Sequence, residues 1–263
     1  MATQIPVGAQ IREWRMRRRM SQMDLALDAE ISTRHLSFVE TGRSAPSRTM
    51  VLTLAERLRV PHRQRNHLLL AAGYAPSYAE RSLDDPELAP ARAAVRALLT
   101  AYEPWPAIAI DRHWTLIEFN RATGPLLADV APWLREPPVN VLRLSLHPEG
   151  MGKRIANLPL WRATIFQRLR EQIEASADPV LHDLLVELRG YPDGDIDIVP
   201  DAHMIAIPLE IDTPDGRLSF ISATTIFGTP VDVTLSELAI EIFLPADAGT
   251  IAHLNQAASA RLP

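Results

Sequence analysis

The residues of this chain that come closest to a reacting pair are His147 and Glu149, an imidazole and a carboxylate that could hold a metal ion or shuttle a proton. Their spacing argues against both. Two positions apart is poor ligand spacing on a helix, Pro148 intervenes, and no further histidine or cysteine cluster lies near. The run Asp193-Gly194-Asp195-Ile196-Asp197 opens like a calcium loop, yet Met204 and Ile205 stand where the closing glutamate belongs. A solvated acidic turn is the expected reading. No serine occupies a nucleophile elbow, and no glycine-rich loop could cradle phosphate. The chain has no cysteine, which removes disulfides, thiolate metal sites and cysteine nucleophiles. The expectation is a protein that is not an enzyme, with no catalytic residue and no metal.

Charge is distributed unevenly. Residues 1–80 carry 12 Arg and no Lys against 7 Asp and Glu, while the whole chain of 263 residues has a net charge of −5. A basic end on an acidic body suggests that only the N-terminal part meets a polyanion. Hydrophobic residues make up 47%, enough for a core, and the length fits two domains. No apolar run reaches the ~20 residues that span a bilayer, and the N-terminus lacks a signal-peptide layout. Cytoplasmic location without a membrane partner is expected.

The elements that must position any functional side chain are short capped helices at the N-terminus. Periodicity predicts helices at about 7–19, 22–29, 33–41, 48–58 and 62–72. Ser21, Ser32 and Ser47 stand at three of the N-caps, with Asp24 as an acidic partner of Ser21. Gly42 and Gly73 stand where helices stop. Residues 75–90, with Pro76, Pro86 and Pro90, read as a linker. Beyond it the pattern changes to helix at 91–102, short strands at 107–111 and 115–119, and helices at 121–128, 160–176 and 179–189. Two strand runs, 203–213 and 217–227, flank the turn signal Pro214-Asp215-Gly216. A strand at 239–244 and a helix from 246 close the chain. Strands, helices, then a hairpin describe an α+β domain with an antiparallel sheet.

The segment Ser21-Gln22-Met23-Asp24-Leu25-Ala26, followed by Ile31-Ser32-Thr33-Arg34-His35-Leu36-Ser37-Phe38-Val39-Glu40-Thr41-Gly42-Arg43, resembles the phage-repressor (Xre) type of helix-turn-helix. Leu25, Ala26, Ile31, Leu36 and Val39 are expected to face inward and lock two helices at a steep angle, with small Ala26 allowing a close crossing. The resemblance implies that Gln22 reaches a phosphate or base edge. It places Ser32, Thr33, Arg34, His35 and Ser37 on or at the start of a recognition helix, with Arg34 the candidate for bidentate contact to guanine. Arg43 and the helix start capped by Ser47 would hold phosphates. Glu40 resembles the family glutamate that pairs with an arginine of the first helix, for which Arg15 has the spacing. The competing expectation is an adaptor or antitoxin-like module whose helical face binds protein.

Three further stretches, Arg81-Ser82-Leu83-Asp84-Asp85-Pro86, Pro138-Val139-Asn140-Val141-Leu142-Arg143-Leu144-Ser145-Leu146-His147-Pro148-Glu149-Gly150 and Asn157-Leu158-Pro159-Leu160-Trp161-Arg162, resemble the MmyB-like regulators. That resemblance implies a PAS-like ligand-binding domain with which a fatty acid has been associated. The fold expected is thus a five-helix, phage-repressor-like all-α domain at 1–74, the linker, and an α+β PAS-like domain with an antiparallel sheet at 91–263.

Trp105, Trp114, Phe119, Trp161, Ile165 and Phe220 are candidates to line an apolar ligand site, although for any single one of them plain core packing is the more common role. Arg143 and His147 could pair with an acidic head group, or tie down their loop together with Asn140 and Asn157. Asn120 is a candidate for the site, with helix capping as its plainer role. No cofactor is expected other than a bound fatty acid or other small apolar ligand. The function these expectations make together is a ligand-responsive transcription regulator, a homodimer whose partners are double-stranded DNA with an inverted-repeat operator and a small-molecule effector.

Overall fold

A computed structural model describes residues 5–192, 206–228, 230 and 232–260. They divide into two compact units, one running through Arg81 and one from Ser82 on, apart from short stretches at 174–177 and 232–233 that group with the first. The acidic run at 193–197 and the first residues of the predicted strand 203–213 lie outside the described residues.

The first unit contains α1 (Val7–Arg17), α2 (Gln22–Asp28), α3 (Thr33–Glu40), α4 (Arg48–Arg57) and α5 (His62–Ala71). The starts follow the sequence signals. Ser21 Oγ accepts from the Asp24 amide while the Asp24 carboxylate accepts from the Ser21 amide, which closes a capping box. Ser32 and Ser47 cap α3 and α4 by accepting from His35 N and Met50 N. Gly42 and Gly73 take φ of +74° and +82°, the left-handed conformation that stops a helix. Apolar residues at helical spacing meet in one core that includes Ile11, Leu25, Leu36, Leu54 and Leu68. The sequence gives no hint of one contact. At Gly8 a Cβ would lie 2.0 Å from the carbonyl oxygen of Val39, so only glycine lets α1 approach α3 this closely.

The second unit begins with α6 (Ala89–Ala101), continues through β1 (Ala107–Ile110) and β2 (Leu116–Phe119), and then α7 (Val141–Leu146), α8 (Leu158–Ser176) and α9 (Pro179–Arg189). It ends with β3 (Leu209–Thr213), β4 (Gly216–Ile226), α10 (Val233–Ser236), β5 (Ala239–Pro245) and α11 (Ala248–Ser259). The five strands form one antiparallel sheet in the order β2-β1-β5-β4-β3. The β3–β4 hairpin turns at Pro214-Asp215, with Thr213 opposite Gly216, which takes φ +128°.

Strand alternation gives the sheet two different faces. Val95 and Leu99 of α6 pack against Ala107, Ala109, Ile240 and Ile242 on one. The other presents Ile108, Ile110, Leu218, Phe220 and Ile211 to the helical layer built from α7, α8 and α9. Two expectations need correction. The predicted helix at 121–128 is only a 3-10 turn, Gly124–Leu127, because Pro125 and the ties of Asn120 and Thr123 hold the backbone. The stretch read as loop around Asn140 contains α7, with Asn140 Oδ1 capping it by accepting from the Leu142 and Arg143 amides.

Candidate functional site

In the first unit the helix-turn-helix geometry follows from which face of α3 is buried. Leu36, Val39 and Glu40 point inward. At 100° per residue, Arg34, Phe38 and Thr41 then fall on the opposite, outward face, with Ser37 beside them. Ser32, Thr33 and Arg34 are exposed, while His35, Ser37 and Phe38 are half-buried. Arg34 and Arg43 place their guanidinium groups 5.4 and 5.9 Å from the centre of the Phe38 ring. Neither enters a salt bridge among the described residues. Arg43 reaches the ring because its amide, and that of Ser44, donate to the Phe38 carbonyl, folding the loop back over the helix end.

The inward side of α3 is held electrostatically as well as by packing. Arg15 of α1 donates from Nε and Nη2 to the two oxygens of Glu40 at 2.6 and 2.9 Å, the pair expected from sequence. Its Nη1 donates to the Met20 carbonyl at 2.8 Å. The Glu40 side chain is 1% exposed. Burial pushes its carboxyl up, but hydrogen bonds from Arg15 and Gln22 and the charges of Arg15 and Arg12 outweigh it and hold the group below its ordinary value. Gln22 is placed differently from the sequence reading. Its Nε2 donates to Glu40 Oε2 at 2.7 Å, so one amide hydrogen belongs to this buried network rather than to an outside partner.

In the second unit an apolar cavity of about 90 Å³ lies between the inner sheet face and α7–α8. Trp114, Trp161, Ile165 and Phe220, four of the residues singled out from sequence, line it along with leucines of α7. Trp114 takes φ +65°, a left-handed conformation uncommon for a bulky residue, at the turn between β1 and β2. Both indole N–H groups have protein partners: Trp114 Nε1 donates to Gln172, away from the cavity lining, and Trp161 Nε1 to Ser145, which is part of that lining.

The charged groups at the cavity wall were not anticipated. Arg168 of α8 donates to Glu241 of β5 at 2.6 and 3.2 Å, and its guanidinium lies 4.8 Å from the centre of a Trp114 ring. Glu241 is only 3% exposed and also accepts from the hydroxyl of Thr224, its cross-strand partner on β4. A charge pair at the wall of an otherwise apolar cavity is what orients a ligand with one polar end. As it stands, each member neutralises the other.

The remaining five ligand candidates lie away from the cavity wall. Phe119 is 45% exposed at the end of β2. Trp105 only packs against the core's edge. Asn120 is buried and neither caps a helix nor faces the void: Oδ1 accepts from Ala107 N and Thr123 Oγ1, and Nδ2 donates to the Leu99 and Trp105 carbonyls. Arg143 is turned outward into a two-pronged pair with Glu187. His147 sits edge-on between the rings of Trp133 and Tyr191, and its Nδ1 accepts from the Glu149 amide. Glu149 in turn accepts from Trp133 Nε1. His147 and Glu149 therefore tie down a loop. Tyr191 completes that cluster, its phenol pushed above its ordinary value by burial and by donation to Glu187. Among the described residues no three His, Asp or Glu gather as metal ligands. No helix there is long and apolar enough to cross a membrane.

Comparison with known families agrees with this layout. Residues 6–68 match the model of a helix-turn-helix domain. Residues 91–257 match the model of the MmyB-like transcription regulator ligand binding domain. No curated protein matches the sequence.

Proposed function

Because the chain belongs to the MmyB-like transcription regulator family, we propose that it works as a homodimer. Its 1–74 regions read the two halves of an inverted repeat. Residues 75–90 link each reader to a 91–263 domain that binds an apolar or amphipathic effector. Thr33, Arg34, His35 and Ser37 face base edges, while Ser32, Arg43, the remaining amide hydrogen of Gln22 and the start of α4 at Ser47 hold phosphates. Dimerisation follows from economy, since one small module seldom reaches useful specificity.

The observation that carries the reading is the outward face of α3. Two arginines stand there without salt-bridge partners among the described residues, while the opposite face is locked by Gly8, Arg15 and Glu40. A positive face held in one orientation is what reading a groove requires. Fluorescence anisotropy on duplexes selected from a random pool tests it. Affinity must fall steeply with salt, Arg34→Ala must relax preference at one base pair, and Arg43→Ala must weaken all sequences alike. Salt-insensitive binding without sequence preference would reject it. Sedimentation with and without operator tests the dimer.

For the effector, the site proposed is the cavity of Trp114, Trp161, Ile165 and Phe220 with Arg168 and Glu241 at its polar end. Its volume is below the ~300 Å³ at which ligand sites usually begin. A fatty-acid-like chain therefore has to part α7 or α8 from the sheet, and an acidic head has to compete with Glu241 for Arg168. That necessity is itself a means of signalling: a ligand that binds only the widened form shifts the balance between two shapes of the domain. Titration with fatty acids of increasing chain length tests this, with hydrogen exchange in α7 and α8 reporting the opening. Saturable binding that leaves exchange in both helices unchanged would place the ligand elsewhere.

A further inference from the structure

Phe38 stands out on the recognition face for what it does not do. It lies in the middle of an otherwise polar surface, flanked by Arg34, Ser37 and Thr41, and it belongs neither to the buried core of the first unit nor to the apolar side chains packed on that core. The residue is half-buried, and the guanidinium groups of Arg34 and Arg43 lie 5.4 and 5.9 Å from the centre of its ring. Its carbonyl accepts from the Arg43 and Ser44 amides, so the loop that carries Arg43 is anchored to the same residue. An apolar ring held outward on a DNA-reading helix, framed by two cations, suits one feature of the major groove. Thymine alone carries a methyl group there, and its neighbours in the groove are the acceptors and phosphates that arginines seek.

We propose that Phe38 is a specificity-determining residue that packs against a thymine methyl group in the operator, while Arg34 and Arg43 beside it contact the flanking base and phosphate. The assignment rests on the DNA-binding reading above and deepens it. The contact is purely apolar and needs no proton or hydrogen bond from the base. Removing the methyl group alone should abolish it.

The full-length protein is first used to select its preferred duplex from a randomised pool. Each thymine of that duplex is then replaced in turn by deoxyuridine, which deletes only the methyl group. One thymine in each copy of the recognised sequence should show a loss of about fourfold in affinity, the factor equivalent to burying one methyl group. The other thymines should show none. In Phe38→Ala the same deoxyuridine replacement should change nothing, and in Phe38→Leu part of the penalty should remain. Because the uridine scan is done on the unaltered protein, it does not depend on the variants folding. If a sequence is selected but every uridine is tolerated, or the penalty persists in Phe38→Ala, Phe38 is not the reader and DNA binding stands. If no sequence is selected at all, the DNA-binding reading fails and this one with it.

Discussion

Replacing Arg15 by methionine should loosen α1 from α3 far more than the loss of a surface charge would. The substitution removes both hydrogen bonds to Glu40 and the one to the Met20 carbonyl, and leaves a carboxylate whose side chain is 1% exposed. Breaking a buried ion pair by deleting one partner costs about 3–5 kcal/mol. Gln22 still donates to Glu40, which argues for the lower end. About 3 kcal/mol corresponds to roughly a hundredfold increase in opening, at 1.4 kcal/mol per decade. Hydrogen exchange on the full chain reads this locally, and amides of α1 and α3 should exchange about a hundredfold faster while those of the sheet stay unchanged. Arg15→Met combined with Glu40→Met should recover most of the protection, because an apolar pair of similar volume carries no stranded charge. The pH dependence has a definite sign. Glu40 is held below its ordinary value of 4.5, so the unfolded chain takes up a proton first as the solution is acidified. The stabilisation is complete above the ordinary value and is lost as pH falls through the lower folded one. The thermal stability of the first unit should therefore fall below about pH 4.5 in the native protein, and less so in the double variant. Acceleration of less than about fivefold in Arg15→Met, or a double variant as open as the single, would refute the account.

Other outcomes follow from the same geometry. Gly8→Ala should displace α3 or destabilise the first unit by more than about 1 kcal/mol, against the small gain expected of alanine in a helix; chemical denaturation settles it, and a stabilised variant would contradict the 2.0 Å approach to Val39. Glu241→Gln should weaken the competitor for Arg168 and raise the affinity for dodecanoate about tenfold, the equivalent of one charge-assisted hydrogen bond. Calorimetry reads it, and weaker binding would show that Arg168 does not take the head group. Asn120→Ala should cost about 2–3 kcal/mol by stranding the buried Ala107 amide and the Leu99 carbonyl, whereas Phe119→Ala should leave ligand binding unaltered. Equal stability losses for the two in a denaturant titration would overturn the assignment of Asn120 as a buried tie.

What could be read from the chain alone was whatever depends on neighbours in sequence. Capping serines, stop glycines and 3.6-residue periodicity act within one or two turns, so α1–α5 and the Pro214-Asp215 hairpin were legible without tertiary knowledge. The same holds for the family motifs, whose residues lie in unbroken runs. The Arg15–Glu40 pair spans 25 positions and was legible only because the family resemblance supplied the spacing. Tertiary structure decided the rest, because it depends on which distant surfaces meet. Gly8 reads as an unremarkable helical residue until the Val39 carbonyl is placed against it. Arg143 and Arg168 are both helical arginines in the same domain, yet α9 offers Glu187 to the first on the outside while β5 offers Glu241 to the second at the cavity wall. Glu241 could not have been found by composition, since a carboxylate inside a run of β-strand residues is normally the solvent-facing member of the alternation. It is buried here because its strand lies in the middle of a sheet whose other face is also covered, and a charge in that position can persist only beside a cation brought from another element.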